Sequence, residues 1–422
     1  MTTIAILGAL LGLLALRIPV AFALGGLGMI LLMIGGFSDL MVPAGLHAST
    51  QSFVLLSVPM FLMMSNILLK GGVGKDLFAA MQAWVGHWPG GLAIATILSC
   101  ALFAAISGSS VACAATIGTV AIPEMIKRDY PRNFVYGLVA AGGTLGILIP
   151  PSIPMIIYGF ITEESVTKLF VAGIGPGLFL VVLFSIYSVF VAIRTPSLRR
   201  VEAVPMAERW HASLRALPAV AVAAFVFISI YSGAATPTEA AAVGFAFSLF
   251  VTTFVLRTMT WELFKEAVIE AAITTVAVLL IVAAAKVFGK AVALYRLPQD
   301  VAAFLTMNFS VAWTFLLMVA GVLLVMGCFL EAISMLLLMV PVLLPALPAL
   351  GIDNVWFGIF FTIMIECALI TPPVGLNLFV IQSIARTGLR EVASGSLPFV
   401  GMLLLALVAI YFVPGIAMWL VM

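Results

Sequence analysis

The sequence predicts an all-α polytopic membrane protein in two inverted repeats. Each repeat holds a re-entrant hairpin and a helix broken at membrane depth. Three observations predict this. First, the 422 residues are 64% hydrophobic and only 9% charged, with mean hydropathy +1.28. Apolar runs such as Leu169–Ile193 and Val400–Met422 are long enough to cross a hydrocarbon core of roughly 30 Å. Second, two apolar segments, 142–151 and 371–377, carry a double proline beside glycines. A Pro-Pro step removes two backbone donors and disfavours helix just before it. In hydrocarbon, such a break survives only where it is buried in protein or lines a cavity. Third, the breaks have matched settings: Pro123 to Pro150 and Pro345 to Pro372 are each 27 residues apart. Matched breaks in two halves point to a solute site near mid-membrane.

Basic clusters orient the chain, because cytoplasmic loops retain Lys and Arg. Thr3–Leu16 reads as a first span ending inside at Arg17, with no basic residue before it as a signal peptide would have. Pro19–Gly36 leads out and Phe53–Leu69 returns to Lys70. Lys75–Trp88 is amphipathic and suits the inner surface. The stretch 89–126 leaves from inside and ends inside at Lys127, so it turns back at Ser107-Gly108-Ser109-Ser110 as a re-entrant hairpin. The segment 132–160 crosses outward, broken at Pro150-Pro151, and Leu169–Ile193 returns. Residues 1–193 form the first repeat, and the arginine-rich, proline-containing stretch 194–215 is a cytoplasmic linker.

The second repeat, 216–422, reads as the same plan upside down. Ala216–Tyr231 goes out, Pro237–Leu256 comes in and Glu270–Phe288 goes out. Gly289–Thr306 reads as a surface stretch. Residues 308–350 form a second hairpin turning near Gly327–Ser334, and 353–384 crosses inward, broken at Pro372-Pro373. A last span leads out, giving ten full crossings with both termini outside. Full crossing by both hairpins, giving twelve spans, is the alternative. In the ten-crossing scheme Lys286, Lys290 and Arg296 are read as outside, against the charge rule; in either scheme the Pro-Pro breaks stay at depth.

The chemistry concentrates at the turns. Ser107, Ser109 and Ser110 surround a flexible glycine just before a helix N-terminus, a setting for an anion such as a carboxylate. Hydroxyls and unwound carbonyls also suit Na+. Tight helix packing by small residues is the competing explanation for the serine tip. Thr371 and the carbonyls near Ile370 are freed by the second break, although a packed proline kink would look the same. Glu331 and Glu366 are acidic residues at membrane depth, where such residues are costly and functional by default. Helix capping is preferred for Glu331; for Glu366 ion or proton handling and capping are balanced. Asn377 reads as substrate contact or as polar glue between helices. The four cysteines and three histidines show no metal or disulfide spacing. No nucleotide-phosphate loop, metalloprotease motif or serine-hydrolase elbow occurs, so an ATPase and an enzyme are disfavoured.

Four motifs then carry a resemblance: 105–110, 143–152, 341–345 and 366–377. In this order they resemble the large membrane subunit of TRAP (tripartite ATP-independent periplasmic) transporters over nearly the whole chain. The family usually has aspartate where this chain has Glu331. The resemblance implies secondary active, Na+-coupled uptake of an organic acid such as a C4-dicarboxylate or sialic acid, at the bacterial inner membrane. It implies two partners, a small four-helix membrane subunit and a periplasmic substrate-binding protein. It also implies an elevator motion of hairpins and broken helices against a scaffold. By motif position, one Na+ site would involve Ser107, Ser110, Gly143 and Gly146, and the second Gly327, Thr371 and Val374. Substrate would sit near Ser109, Thr144 and Asn377. A self-sufficient carboxylate carrier driven by Na+ or H+, working without a binding protein, is the alternative. A nucleic-acid partner is not expected.

Overall fold

The computed structural model describes residues 2–38, 40–195, 198, 202–308, 311–373 and 375–421. In chain order, α1 (Thr2–Ala15) and α2 (Val20–Ile34) are short apolar helices divided at Arg17, which takes a left-handed φ of 62°. A short helix α3 (Met41–Thr50), which the sequence left unassigned, precedes α4 (Ser57–Lys70) and the amphipathic α5 (Val73–Val85). Then come α6 (Gly91–Ser107) and α7 (Ser110–Ile126), α8 (Arg132–Leu148) and α9 (Ile153–Thr162), and the long α10 (Val166–Arg194). The helices α6 and α7 divide at Gly108, and α8 and α9 divide at Pro150-Pro151.

The second half opens with α11 (Met206–Tyr231) and α12 (Pro237–Phe250), which runs on through a π turn to Val255. The start of α11 lies inside the expected linker, 194–215. Next is α13 (Trp261–Leu294), of 34 residues and thus about 50 Å long. Here the sequence reading needs correction. Gly289–Thr306 is helical and not an irregular stretch, with Leu294, Arg296, Asp300 and Phe304 exposed: α13 runs unbroken past Lys286 and Lys290, and α14 (Leu297–Asn308) follows at once. The alanine-rich run Ala283–Ala293 is strongly helix-forming, and two lysines one turn apart do not interrupt it. The second hairpin is α15 (Ala312–Met326) and α16 (Ala332–Leu343), turning at Gly327–Glu331. The second broken helix is α17 (Asn354–Leu369) and α18 (Leu376–Ala385), before α19 (Leu389–Phe412) and the short α20 (Gly415–Met418).

One series therefore occurs twice: a short helix, a hairpin, a broken helix and a long helix. Among the described residues, six helical segments are long and apolar enough to cross a membrane, including Arg132–Thr162 taken across its break. The two halves' broken helices form the centre. Every residue from Phe134 to Leu148 on α8 and from Val355 to Leu369 on α17 is buried, as a helix apolar on all sides requires. Against α8 pack α6, α7 and α19. The α8–α19 crossing is backbone-close, since a Cβ on Gly137 would lie 1.9 Å from the Gly395 carbonyl oxygen. Glycine is what admits that approach. Around this body, α13 packs along α2, α3 and α4.

Candidate functional site

At the tip of the first hairpin, α6 ends at Gly108 with φ +59°, a left-handed termination that glycine adopts without strain. A side chain is excluded there for a second reason: a Cβ would come 2.7 Å from the Pro151 carbonyl oxygen. The first hairpin tip thus abuts the first break. Ser109 is extended and caps α7, its hydroxyl accepting from the Ala112 N–H at 3.4 Å. Ser107 is buried, and its hydroxyl lies 3.4 Å from the Ser109 carbonyl oxygen, a long contact.

Behind the tip stands α8. A Cβ on Gly146 would meet the Ser109 carbonyl oxygen at 2.6 Å, and one on Gly143 would meet the Ala114 Cβ at 2.5 Å. The glycines therefore let the first turns of α7 lie directly on α8. Past Leu148 the chain leaves the helix at the extended Ile149 and bends through Pro150-Pro151, whose peptide bond is cis. Ser152 restarts helix, accepting from the Met155 N–H at 3.4 Å and donating to the Ile147 carbonyl at 2.5 Å. The break is thereby satisfied inside the protein, as hydrocarbon demands.

The second break has the same logic with a different partner. Pro372-Pro373 is also cis. The Thr371 hydroxyl donates to the Cys367 carbonyl at 2.6 Å. The Ile370 carbonyl, expected to be free, accepts from the Ser396 hydroxyl of α19 at 2.8 Å. The partner is 26 residues away, beyond the reach of a local reading. Gly327, at the second hairpin's turn, is pressed on α17: a Cβ there would lie 2.3 Å from the Ala368 Cβ. Val374 lies outside the described residues.

Asn377 joins the halves. Its amide donates to the Ser110 hydroxyl at 2.6 Å and to the Ala140 carbonyl at 3.1 Å, while its Oδ1 is buried without a partner. Of the three residues expected near substrate, only Ser109 reaches open space. Asn377 and Thr144, whose hydroxyl donates to the Ala141 carbonyl at 2.7 Å, are wholly buried behind the wall. Glu331 stands at the N-cap of α16 but makes no capping hydrogen bond; Ser334 donates to it at a long 3.5 Å. The expected capping role fails because glutamate's extra methylene carries its carboxylate beyond the first amides, where aspartate would reach. Glu366 is wholly buried, and neither of its oxygens has a partner.

Both hairpin tips open on one cavity of about 470 Å³. Ser109, Ser110 and Glu331 line one side. The other side is α4 and α13, through Ser65, Asn66, Glu270 and Thr274. Sequence reasoning missed these four, although each is a polar residue in an apolar run. Glu270 is held by Lys70 at 2.7 Å, which also meets Glu266 at 3.2 Å. Gly327 and Glu331 line an adjoining cavity of about 440 Å³. Among the described residues no group of His, Cys, Asp and Glu is arranged for a metal ion.

The family model of the tripartite ATP-independent periplasmic transporter, DctM component, matches residues 7–416. This chain belongs to that family. A C4-dicarboxylate TRAP large permease of Pseudomonas aeruginosa is 39% identical over 374 residues, 88% of this chain and 87% of the relative. The isethionate TRAP permease DctMQ of Oleidesulfovibrio alaskensis is 33% identical over 407 residues, covering 96% of this chain but 64% of the longer relative. The crystal structure of the Alcanivorax borkumensis YdaH transporter superposes with a TM-score of 0.63, covering 90% of this chain and 87% of that one. At 14% identity that likeness shows a shared fold. The DctM-family permease is accordingly a multi-pass transport protein and not an enzyme.

Proposed function

We propose that this permease takes up a carboxylate-bearing organic acid across the bacterial inner membrane, driven by a Na+ gradient. The acid is handed over by a periplasmic binding protein, and a small four-helix subunit completes the membrane complex. The observation that carries the reading is the shared cavity: two hairpin tips on one wall, α4 and α13 on the other. The N-termini of α7 and α16 both meet it, and their unpaired N–H groups and dipoles favour an anion. The repeated element series supports an inverted repeat spanning 1–193 and 216–422, with 194–215 between, and hence alternating access. In that motion the hairpins and broken helices travel as one body, elevator-like, along the scaffold. The longer isethionate relative leaves about a third of its length unmatched, room for the small subunit on one polypeptide. C4-dicarboxylates, named for the Pseudomonas aeruginosa relative, are the first acids to test.

Na+ is a hard cation that takes oxygen ligands. The Ser107 and Ser110 hydroxyls stand where Gly143 and Gly146 bring α7 onto α8. Thr371, three residues past the Ala368 on which Gly327 packs, is the counterpart at the second break. Ser107→Ala and Thr371→Ala are each expected to raise the Na+ concentration for half-maximal uptake about fivefold, the worth of one net polar contact near 1 kcal/mol. Unchanged Na+ activation in both variants would remove these assignments. For Glu366→Gln, which keeps the shape and removes the charge, we expect Na+-driven uptake to fall about tenfold while the acid still binds. Full coupling in that variant would leave Glu366 a structural residue. The overall reading is tested in proteoliposomes. Uptake should require the Na+ gradient, the small subunit and the binding protein together. Transport by this chain alone would make it a self-sufficient carrier.

A further inference from the structure

The ridge of α13 at every fourth residue reads Glu270, Thr274, Val278, Val282, Lys286, Lys290. Its first three members line the cavity at the hairpin tips, and its last three line a second cavity of about 360 Å³. The same two neighbours wall both. The first turn of α9 (Ile153, Pro154) and of α16 (Ala332, Ile333) face the tip cavity. The later turns of those helices (Phe160 of α9, Leu337 and Pro341 of α16) face the second. The two cavities are thus the ends of one seam, running along α13 between α9 and α16. From Glu270 to Lys290 is 20 residues, about 30 Å of helix, the depth of a hydrocarbon core.

The chemistry of the two ends differs. At the first, Glu270 and Glu266 share the single Lys70 ammonium, so that end keeps a net negative charge. At the second, Lys286 and Lys290 stand half-buried, one turn apart, and among the described residues neither is in an ion pair within 4 Å. The Lys286 ammonium sits 4.3 Å from the centre of the Phe160 ring, and Glu163 is its acidic neighbour. Glu163 offsets one of the two charges, and the positive charge that remains against an apolar wall, on the side from which substrate arrives, is costly unless something anionic visits it. The two lysines are also residues whose outside placement breaks the charge rule.

We infer that Lys286 and Lys290 form an extracytoplasmic station for the substrate's carboxylates, at the mouth of the seam leading to the hairpin tips. Two cations with Cβ atoms about 6 Å apart suit an acid carrying two carboxylates better than one. The attachment of both lysines to α13, which packs with α2, α3 and α4, leaves the station in place while α9 and α16 slide past it. The inference rests on the carboxylate-uptake reading, and the two fail separately in the following experiment.

Spheroplasts carrying the whole transporter are treated with a membrane-impermeant amine-acylating reagent, and modification of the two lysines is read by peptide mass spectrometry. Both should be modified from outside, and 10 mM external succinate should slow this about fivefold, with acetate much weaker, as expected of a close charge pair. In proteoliposomes of the full complex, Lys286→Gln with Lys290→Gln should raise the KM for succinate about tenfold with kcat little changed, the mark of lost binding and not of lost translocation. The pair Lys286→Arg with Lys290→Arg should keep the KM within about twofold, because charge is retained. No labelling from outside, no protection by succinate, or an unaltered KM in the glutamine pair overturns the station. Protection that follows added phosphatidylglycerol in place of succinate overturns it in favour of a lipid headgroup. Protection by succinate without Na+-driven uptake leaves the station standing and defeats the coupling.

Discussion

Gly146→Ala is expected to reduce uptake about a hundredfold while leaving most of the protein folded. The new methyl would stand 2.6 Å from the Ser109 carbonyl oxygen and 3.1 Å from the Ser110 nitrogen. Both are backbone atoms at the start of α7, so no side chain can swing aside. The tip must move off α8 by something under 1 Å, and displacements of that size at a working site cost on the order of 10²-fold. The substitution should shift both the Na+ requirement and the KM for the acid, because Ser109 and Ser110 line the cavity. The measurement is initial uptake rate in proteoliposomes against Na+ and against acid, with size-exclusion profile as the folding control. Near-normal uptake would mean that the hairpin tip is not held at its working position by α8.

Asn377→Ala is expected to uncouple the two halves of the site. It removes the bonds to Ser110 at 2.6 Å and to the Ala140 carbonyl at 3.1 Å, and leaves a space between α7, α8 and α18. Side-chain bonds between membrane helices average near 0.6 kcal/mol and reach about 1.7, so the pair is worth roughly 1–3 kcal/mol. A lower thermal midpoint by several degrees should accompany a weaker Na+ response, because Ser110 loses the donor that orients its hydroxyl. A variant with the midpoint lowered and the Na+ response intact would confine Asn377 to helix glue. An unchanged midpoint would mean that water replaces the amide, contrary to its complete burial.

The features legible in the sequence are those that the chain makes locally. The double prolines forbid continuous helix whatever surrounds them. The Ser107-Gly108-Ser109 run holds a helix stop and a helix start, and the structure uses Gly108 as the first and Ser109 as the second. The hairpin limits, the amphipathic α5 and the broken helices follow from such signals within a few residues. Helix α13 shows where the local signal misled: the span was expected to end at Phe288, whereas helix propensity carried the chain on through Lys290 to Leu294.

What escaped the sequence was partnership. Asn377 and Ser110 are 267 residues apart, Ser396 and Ile370 26, and Lys70 and Glu270 200. No periodicity encodes which face of one helix meets another. The wall of the cavity built by α4 and α13 was invisible for this reason, as was the retreat of Thr144 and Asn377 behind the first hairpin tip on the opposite side.

The sequence by itself determined that the chain crosses a membrane repeatedly, where it turns back and where its helices break, because composition and backbone stereochemistry act over short stretches. Only the tertiary structure decided that both hairpin tips share one cavity, which hydroxyls face it, and that α13 links that cavity to a lysine-lined one. Those relations arise from close packing of helices distant in the chain. That packing depends on the shapes of opposed faces, such as Gly146 against Ser109 and Gly327 against Ala368, and on no single segment's preference.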